Sequence, residues 1–218
     1  MRGRDITRYG YEFNDLWLIN THNGIKEKNI APIDINNYPA IKAHLDKFWE
    51  KLSTRADKGD TPYNLRNCVY TDDFSKQKIV WGNLCLSSQF AWVENDFFIN
   101  APSTMITNGS KYLLAMLNSR VIDWYIKKLG VTRNGGYFEY KPMFIEATPI
   151  PMPSQDIIDD LEQKVDRIMS IRKDGGNSTN IEDEIDDIVA NMFNLSSEEI
   201  DYLFTNSSTN CISSSESE

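Results

Sequence analysis

Apolar residues along this chain fall into a few periodic stripes, separated by polar breaks rich in glycine, proline and asparagine. Residues 14–20, Asn-Asp-Leu-Trp-Leu-Ile-Asn, read as a short buried strand. From Asn36 the period changes. Ile41, Leu45, Phe48 and Leu52 recur at helical spacing behind Pro39, a residue suited to a first helical turn. Lys47, Lys51 and Arg55 ride another face of that helix. A polar, breaker-rich loop follows through Arg66. Three runs then have strand character: Lys78–Trp81, Phe90–Val93 and 97–100. A second helix fits 110–128, with Leu113, Leu114, Leu117, Val121 and Tyr125 on one stripe and Gly130 as its stop. Arg133-Asn134-Gly135-Gly136 is a strong turn signal, and 137–145 reads as a strand. Pro149, Pro151 and Pro153 form a stiff extended connector, which marks a domain boundary. Beyond it, Ser154 can cap a helix carrying Ile157, Leu161, Val165 and Ile168. After the 174–178 break, a second carries Ile185, Ile188, Val189 and Met192. Ser196 and Glu199 form a capping-box pattern for a short helix through Phe204. The pattern predicts an α+β fold: a mixed-sheet domain over 1–150, a helical appendage over 151–204, and a disordered Ser/Thr/Asn-rich tail over 205–218.

With 218 residues, 40% hydrophobic and 25% charged, the chain can build one sizeable core or one domain with an appendage. No apolar run approaches the roughly 20 residues of a membrane helix. The charged opening, Met1 to Asp5, does not read as a secretory signal. Cys68, Cys85 and Cys211 are scattered and lack a CxxC pairing, so neither a disulfide framework nor a zinc site is expected; a cytoplasmic setting fits best. The net charge of -9 argues against nucleic acid until it is divided. Residues 151–218 hold 4 basic and 16 acidic side chains, a net of -12, whereas 1–150 hold 19 and 16, a net of +3. Phosphate binding depends on local field, so the acidic third does not exclude it from the rest.

Catalytic constellations are sparse. His22 and His44 are isolated, and there is neither a phosphate-cradling glycine loop nor a nucleophile elbow. Asp123 upstream of Glu139-Tyr140-Lys141 resembles the spaced Asp…Glu-x-Lys of metal-dependent nucleases, in which two carboxylates hold a cation. Asp156 with Glu162-Gln163-Lys164 is a second loose match, inside one predicted helix. In such nucleases the aspartate stands at a strand edge, whereas Asp123 lies mid-helix. The polar loops are better candidates for function. Loop 55–67 supplies Arg55, Lys58, Thr61, Tyr63, Asn64 and Arg66; the later turn supplies Thr132, Arg133, Asn134 and Tyr137. Arg and Asn side chains can pair bidentately with base edges, and lysines suit phosphate. The same composition also fits two solvated, turn-forming loops.

Particular stretches add a resemblance. Arg2-Gly3-Arg4-Asp5-Ile6-Thr7-Arg8-Tyr9-Gly10 resembles the opening of TaqI-like C-terminal specificity domains, found in type IIG restriction–modification enzymes and adenine-specific DNA methyltransferases. So do residues 33–42, 55–66, Lys78–Trp81, 111–119, and 135–141 running into Pro149-Ile150-Pro151-Met152-Pro153. Residues 181–186 through 195–200 are similar to the helical ending of those enzymes, which extends the resemblance to about 2–204. The polyproline exit into a helix also resembles specificity subunits of type I systems. The resemblance implies a target-recognition domain that binds double-stranded DNA and directs a methyltransferase or endonuclease, as a covalent domain or a separate chain. S-adenosylmethionine and a divalent cation would belong to that catalytic part. The chain contains no Asn-Pro-Pro-Tyr motif to hold a flipped base, so no catalytic or cofactor role passes to any residue here. On this reading Asn64, Arg66, Arg133 and Asn134 are base readers, and Lys47, Lys51 and Lys58 contact phosphate. Two alternatives remain: a small metal nuclease using Asp123, Glu139 and Lys141, and a protein-interaction module without DNA contact, for which the acidic appendage speaks.

Overall fold

The computed structural model describes residues 1–94 and 96–209. It is an α+β protein whose elements run β1 (Ile6–Thr7), β2 (Gly10–Tyr11), α1 (Pro39–Asp46), α2 (Trp49–Thr54), β3 (Lys78–Trp81), β4 (Leu84–Cys85), β5 (Phe90–Val93) and β6 (Thr104–Thr107). They continue with α3 (Lys111–Asn118), α4 (Arg120–Leu129), β7 (Phe138–Glu139), α5 (Pro142–Glu146), α6 (Gln155–Lys173), α7 (Thr179–Met192) and α8 (Ser197–Thr209). The chain divides into two compact units, one made of Met1–Asp15 and everything from Phe74 onward, the other of Leu16–Asp73.

The larger unit is organised by β3, central in an antiparallel sheet of order β5–β3–β6. Lys78 pairs with Val93 and Thr107, and Trp81 with Phe90 and Thr104. Because both faces of this sheet are covered, β3 is buried at every position: Ile79, Val80 and Trp81 form an apolar run, and Lys78 is accommodated by donating to the Phe74 and Lys76 carbonyls (2.7 and 2.9 Å). Ile79, Trp81 and Phe90 belong to the main core with helices α3, α4, α6 and α7, while Val80, Ala91 and Val93 join Ile6 in a second cluster. Buried Asn118, the last residue of α3, acts as an extra strand: its carboxamide accepts from the Phe90 N–H (3.0 Å) and donates to the Phe90 carbonyl (2.9 Å).

The helices beyond the proline segment share this core. Leu161, Val165 and Ile168 of α6 are fully buried in the same cluster as Leu114, Leu117 and Ile122. Polar contacts bind them too. The Tyr112 hydroxyl donates to the Pro151 carbonyl. Arg120 pairs with Asp186 (2.6 Å), and Glu182 bridges Arg8 (2.7 Å) and Arg172 (2.6 Å). Compactness thus cuts the chain at 15/16 and 73/74, whereas the proline pattern suggests 150/151. Helix α8 includes residues 205–209, assigned to the tail from sequence; 210–218 lie outside the described residues.

Several expected elements are corrected. Residues 14–20 form no strand, and Trp17 is 83% exposed. The helix expected from Asn36 is broken at Phe48 (φ -113°, ψ 17°) into α1 and α2, with Pro39 at its first turn. Residues 97–100 are irregular, and the third strand of the sheet is β6 instead. The helix expected over 110–128 is interrupted at Ser119 (ψ 150°), whose hydroxyl accepts from the Ile122 N–H and starts α4. The strand expected over 137–145 is two residues long, because Pro142 opens α5. Gly130 does end α4, yet its φ is -80°. A side chain there would meet the Glu139 carbonyl oxygen at 2.9 Å, so close approach rather than a left-handed turn calls for glycine.

Candidate nucleic-acid interface

In the smaller unit, loop 55–67 is stabilised from within. The Asn64 side chain, 2% exposed, accepts from the Thr61 hydroxyl (2.5 Å) and donates to the Ile33 carbonyl (2.9 Å). Arg55, half-buried, donates to the Pro62 and Asn64 carbonyls (3.1 and 2.6 Å). Lys58 and Leu65 form an antiparallel bridge, and the Leu65 N–H donates to Thr21 (2.8 Å). Gly59 sits where a Cβ would be 2.4 Å from the Asn23 carboxamide oxygen, which accepts from the Asp60 N–H. Charged groups are left outward. Lys58 donates to the Ser53 carbonyl (2.8 Å), and Arg66 pairs with Asp57 at 3.0 Å, both side chains about three-quarters exposed.

Beside this loop in the same unit, the Tyr63 hydroxyl donates to Asp46 (2.6 Å), its ring lies 5.4 Å from Trp49, and Lys42 stands over it. That hydroxyl, with Lys42, holds the Asp46 carboxyl below the usual carboxylate range. Lys47 and Lys51 are exposed and, among the described residues, make no ion pair. Between them lie Phe48 and Trp49, each nearly half-exposed. The periodicity reading assigns Phe48 to the buried stripe and passes over Trp49. The available signal is their adjacency, since neighbouring helix positions point about 100° apart and cannot share a narrow stripe.

In the larger unit, the turn of 132–137 is the tip of a hairpin. Thr132 bridges to Phe138, and the Arg133 N–H donates to the Tyr137 carbonyl (2.6 Å). Gly135 and Gly136 adopt φ of 78° and 76°, the left-handed region in which glycine is unstrained. Thr132, Asn134 and Tyr137 are exposed. Arg133 is exposed as well, but its guanidinium donates to Glu139 (2.7 Å), which also pairs with Lys141 (2.7 Å). These two cations, Lys141 first, hold the Glu139 carboxyl below its ordinary range.

The nuclease-like residues are occupied otherwise. Asp123, 4% exposed, accepts from the Ser88 N–H (2.6 Å) and the Tyr140 hydroxyl, and pairs with Lys127 (2.8 Å). Burial, with Asp123 alongside, pushes the Tyr140 phenol well above its ordinary range. Burial also pushes the Cys85 thiol up to about 12, which leaves it an unreactive packing group. Among the described residues, no three His, Cys, Asp or Glu side chains are grouped to hold a metal. His22 accepts from the Gly24 N–H (3.1 Å), and His44 lies against Phe48.

The predicted base readers and phosphate contacts therefore fall into two sets. Lys47, Lys51, Arg55, Lys58, Thr61, Tyr63, Asn64 and Arg66 belong to the unit of Leu16–Asp73; Arg133, Asn134 and Tyr137 belong to the other. Within the first, Lys47, Lys51, Lys58 and Arg66 present charge to solvent, while Asn64, Arg55 and Thr61 turn polar groups inward. No helix among the described residues is long and apolar enough to cross a membrane. The family model described as the TaqI-like C-terminal specificity domain matches residues 1–150, ending at the proline segment and short of the helical ending that the sequence resemblance includes. No curated protein matches the chain.

Proposed function

This chain belongs to the TaqI-like C-terminal specificity domain family, and from that premise we propose that it selects the DNA site for a restriction–modification enzyme. The family match over 1–150 carries the reading. Recognition is of duplex DNA, in the cytoplasm, and directs a methyltransferase or endonuclease that is another domain or another chain. Methyl transfer with its S-adenosylmethionine, and cleavage with its divalent cation, belong to that partner; this chain supplies no catalytic group.

Within the proposal, roles follow exposure. Lys47, Lys51 and Lys58 serve as point charges for phosphate, and Arg66 and Asn134 read base edges, their polar ends being free of burial. Arg133 contacts DNA only by exchanging Glu139 for a base or phosphate, and Tyr137 offers its ring beside the two glycines. Asn64, Arg55 and Thr61 hold the loop that presents Lys58 and Arg66, and Tyr63 braces it. Fluorescence anisotropy with a labelled duplex at rising salt tests the reading. Affinity should fall linearly in log–log form, with a slope of about -0.9 for each phosphate contacted. Absence of association at low salt would contradict it.

A further inference from the structure

Helices α6 and α7 leave a groove of about 440 Å³ between the first turns of one and the last turns of the other, lined by Asp156, Ile157, Asp160, Ile188, Asn191 and Met192. Its floor is apolar: Ile157, Ile188 and Met192 pack against the main core from below and stay half-exposed above. Its rim is acidic. Asp156 makes no ion pair among the described residues, and Asp160 shares Lys164 at 3.6 Å while that lysine sits closer to Glu184 (2.5 Å). Asp187, also exposed, stands one turn before Asn191.

We propose that this groove docks an amphipathic helix of a partner protein, one whose apolar stripe is flanked by lysine and arginine. Charge selects this occupant. Residues 151–204 carry 14 acidic and 4 basic side chains, a field that repels nucleic acid and attracts cationic protein. A second copy would bring the same acidic face to an isologous contact, opposing like charge to like. The chain's own residues 210–218 carry Glu216 and Glu218 and no basic residue, so their sign is wrong as well. An apolar trough between two helices is the seat used in helix-in-groove recognition, where anchors one turn apart enter the trough and flanking charges fix orientation. The inference is independent of DNA recognition, because α6 and α7 lie outside the matched residues 1–150.

The test uses the full chain with labelled isoleucine and methionine methyl groups, followed by NMR. The probe is a peptide of about 18 residues in which leucine and lysine alternate at amphipathic helical spacing. Controls are the same composition scrambled, and a leucine–glutamate version. The Leu/Lys peptide should shift the Ile157, Ile188 and Met192 methyls, and the scrambled peptide should bind at least about tenfold more weakly. The double variant Asp156→Asn/Asp160→Asn, which removes both charges without placing cations in the first turns of α6, should still melt cooperatively and lose about tenfold in affinity. Shifts confined to other methyls, equal binding of the scrambled or acidic peptide, or an unchanged affinity in the double variant would each overturn the proposal. So would concentration-dependent shifts of these three methyls without peptide, which would give the groove to a second copy.

Discussion

Substituting Asn64 by alanine separates two roles that its sequence context permits equally. The side chain is buried, accepts from Thr61 at 2.5 Å and donates to Ile33 at 2.9 Å. Removing it deletes these two short neutral hydrogen bonds, each contributing about 1 kcal/mol net, together with a longer one to the His22 carbonyl (3.4 Å), and leaves two carbonyls and a hydroxyl to find new partners. The expected loss is about 2 kcal/mol, and for a chain of this length each kcal/mol lowers the melting temperature by roughly 2–4 °C. Circular dichroism should therefore show a fall of roughly 4–8 °C. Arg66→Ala, at an exposed ion pair, should change stability by no more than about 0.5 kcal/mol. Anisotropy against a preferred and a mismatched duplex supplies the second readout. Asn64→Ala should weaken both duplexes alike, because the whole loop loosens, whereas Arg66→Ala should reduce discrimination by about 1–3 kcal/mol. If Asn64→Ala melts like the parent and flattens discrimination, the carboxamide reads a base and the holding role is refuted.

Lys47→Ala and Lys51→Ala should each reduce the salt slope of duplex binding by about one, with no change in sequence preference, as binding isotherms at several salt concentrations would report. Asp123→Ala should cost about 3 kcal/mol in urea unfolding, since it strands Lys127 and two buried donors; plasmid incubated with magnesium or manganese should stay supercoiled for parent and variant alike. Leu161→Ala should cost roughly 3 kcal/mol, and a chain ending at Pro153 should lose its cooperative melt, because α6 supplies part of the main core. On acidification, Glu139 and Glu182 set the sign. Lys141 and Arg133 lower the first; for the second, burial raises it, but Ser178, Arg8 and Arg172 outweigh burial. Their contribution is present above the ordinary glutamate value and lost as pH falls through the lowered ones. Burial raises Asp186, which acts in the opposite direction, so Glu139→Gln should flatten the acid fall in urea midpoint measured below about pH 4.3.

Elements whose pattern is set by local chemistry are legible in the sequence. β3 and β5 stand out as short, largely apolar runs between polar breaks, and α6 and α7 as long apolar stripes, although the Ser154 and Ser178 side chains at their N-termini make no capping hydrogen bond. The failures have physical causes. The apolar segment at 14–20 has strand composition but no paired strand, and composition cannot supply a neighbour. β6, with threonine at both ends and only half-buried residues, gives no apolar run to detect. The α3–α4 break hides inside a continuous stripe; Ser119 is its only local mark. For the candidate interface, sequence marks two polar loops but not the direction of their side chains. Asn64 and Arg66 are two residues apart in one polar segment, yet Asn64 turns inward to the Ile33 carbonyl, 31 residues away, while Arg66 stays at the surface paired with Asp57 of its own loop.

Selection from a pool of random duplexes tests the central claim most directly. The full chain is incubated with the pool at low salt, bound duplexes are recovered and sequenced over several rounds, and Arg66→Ala and Asn134→Ala are carried in parallel. A site-selecting module should enrich one short defined sequence, with the preference relaxed at one or two positions in each variant while overall duplex affinity falls less. A recovered pool as random as the starting one, or an enriched sequence that neither variant alters, would contradict the account: the first denies site selection, the second places it on residues other than these.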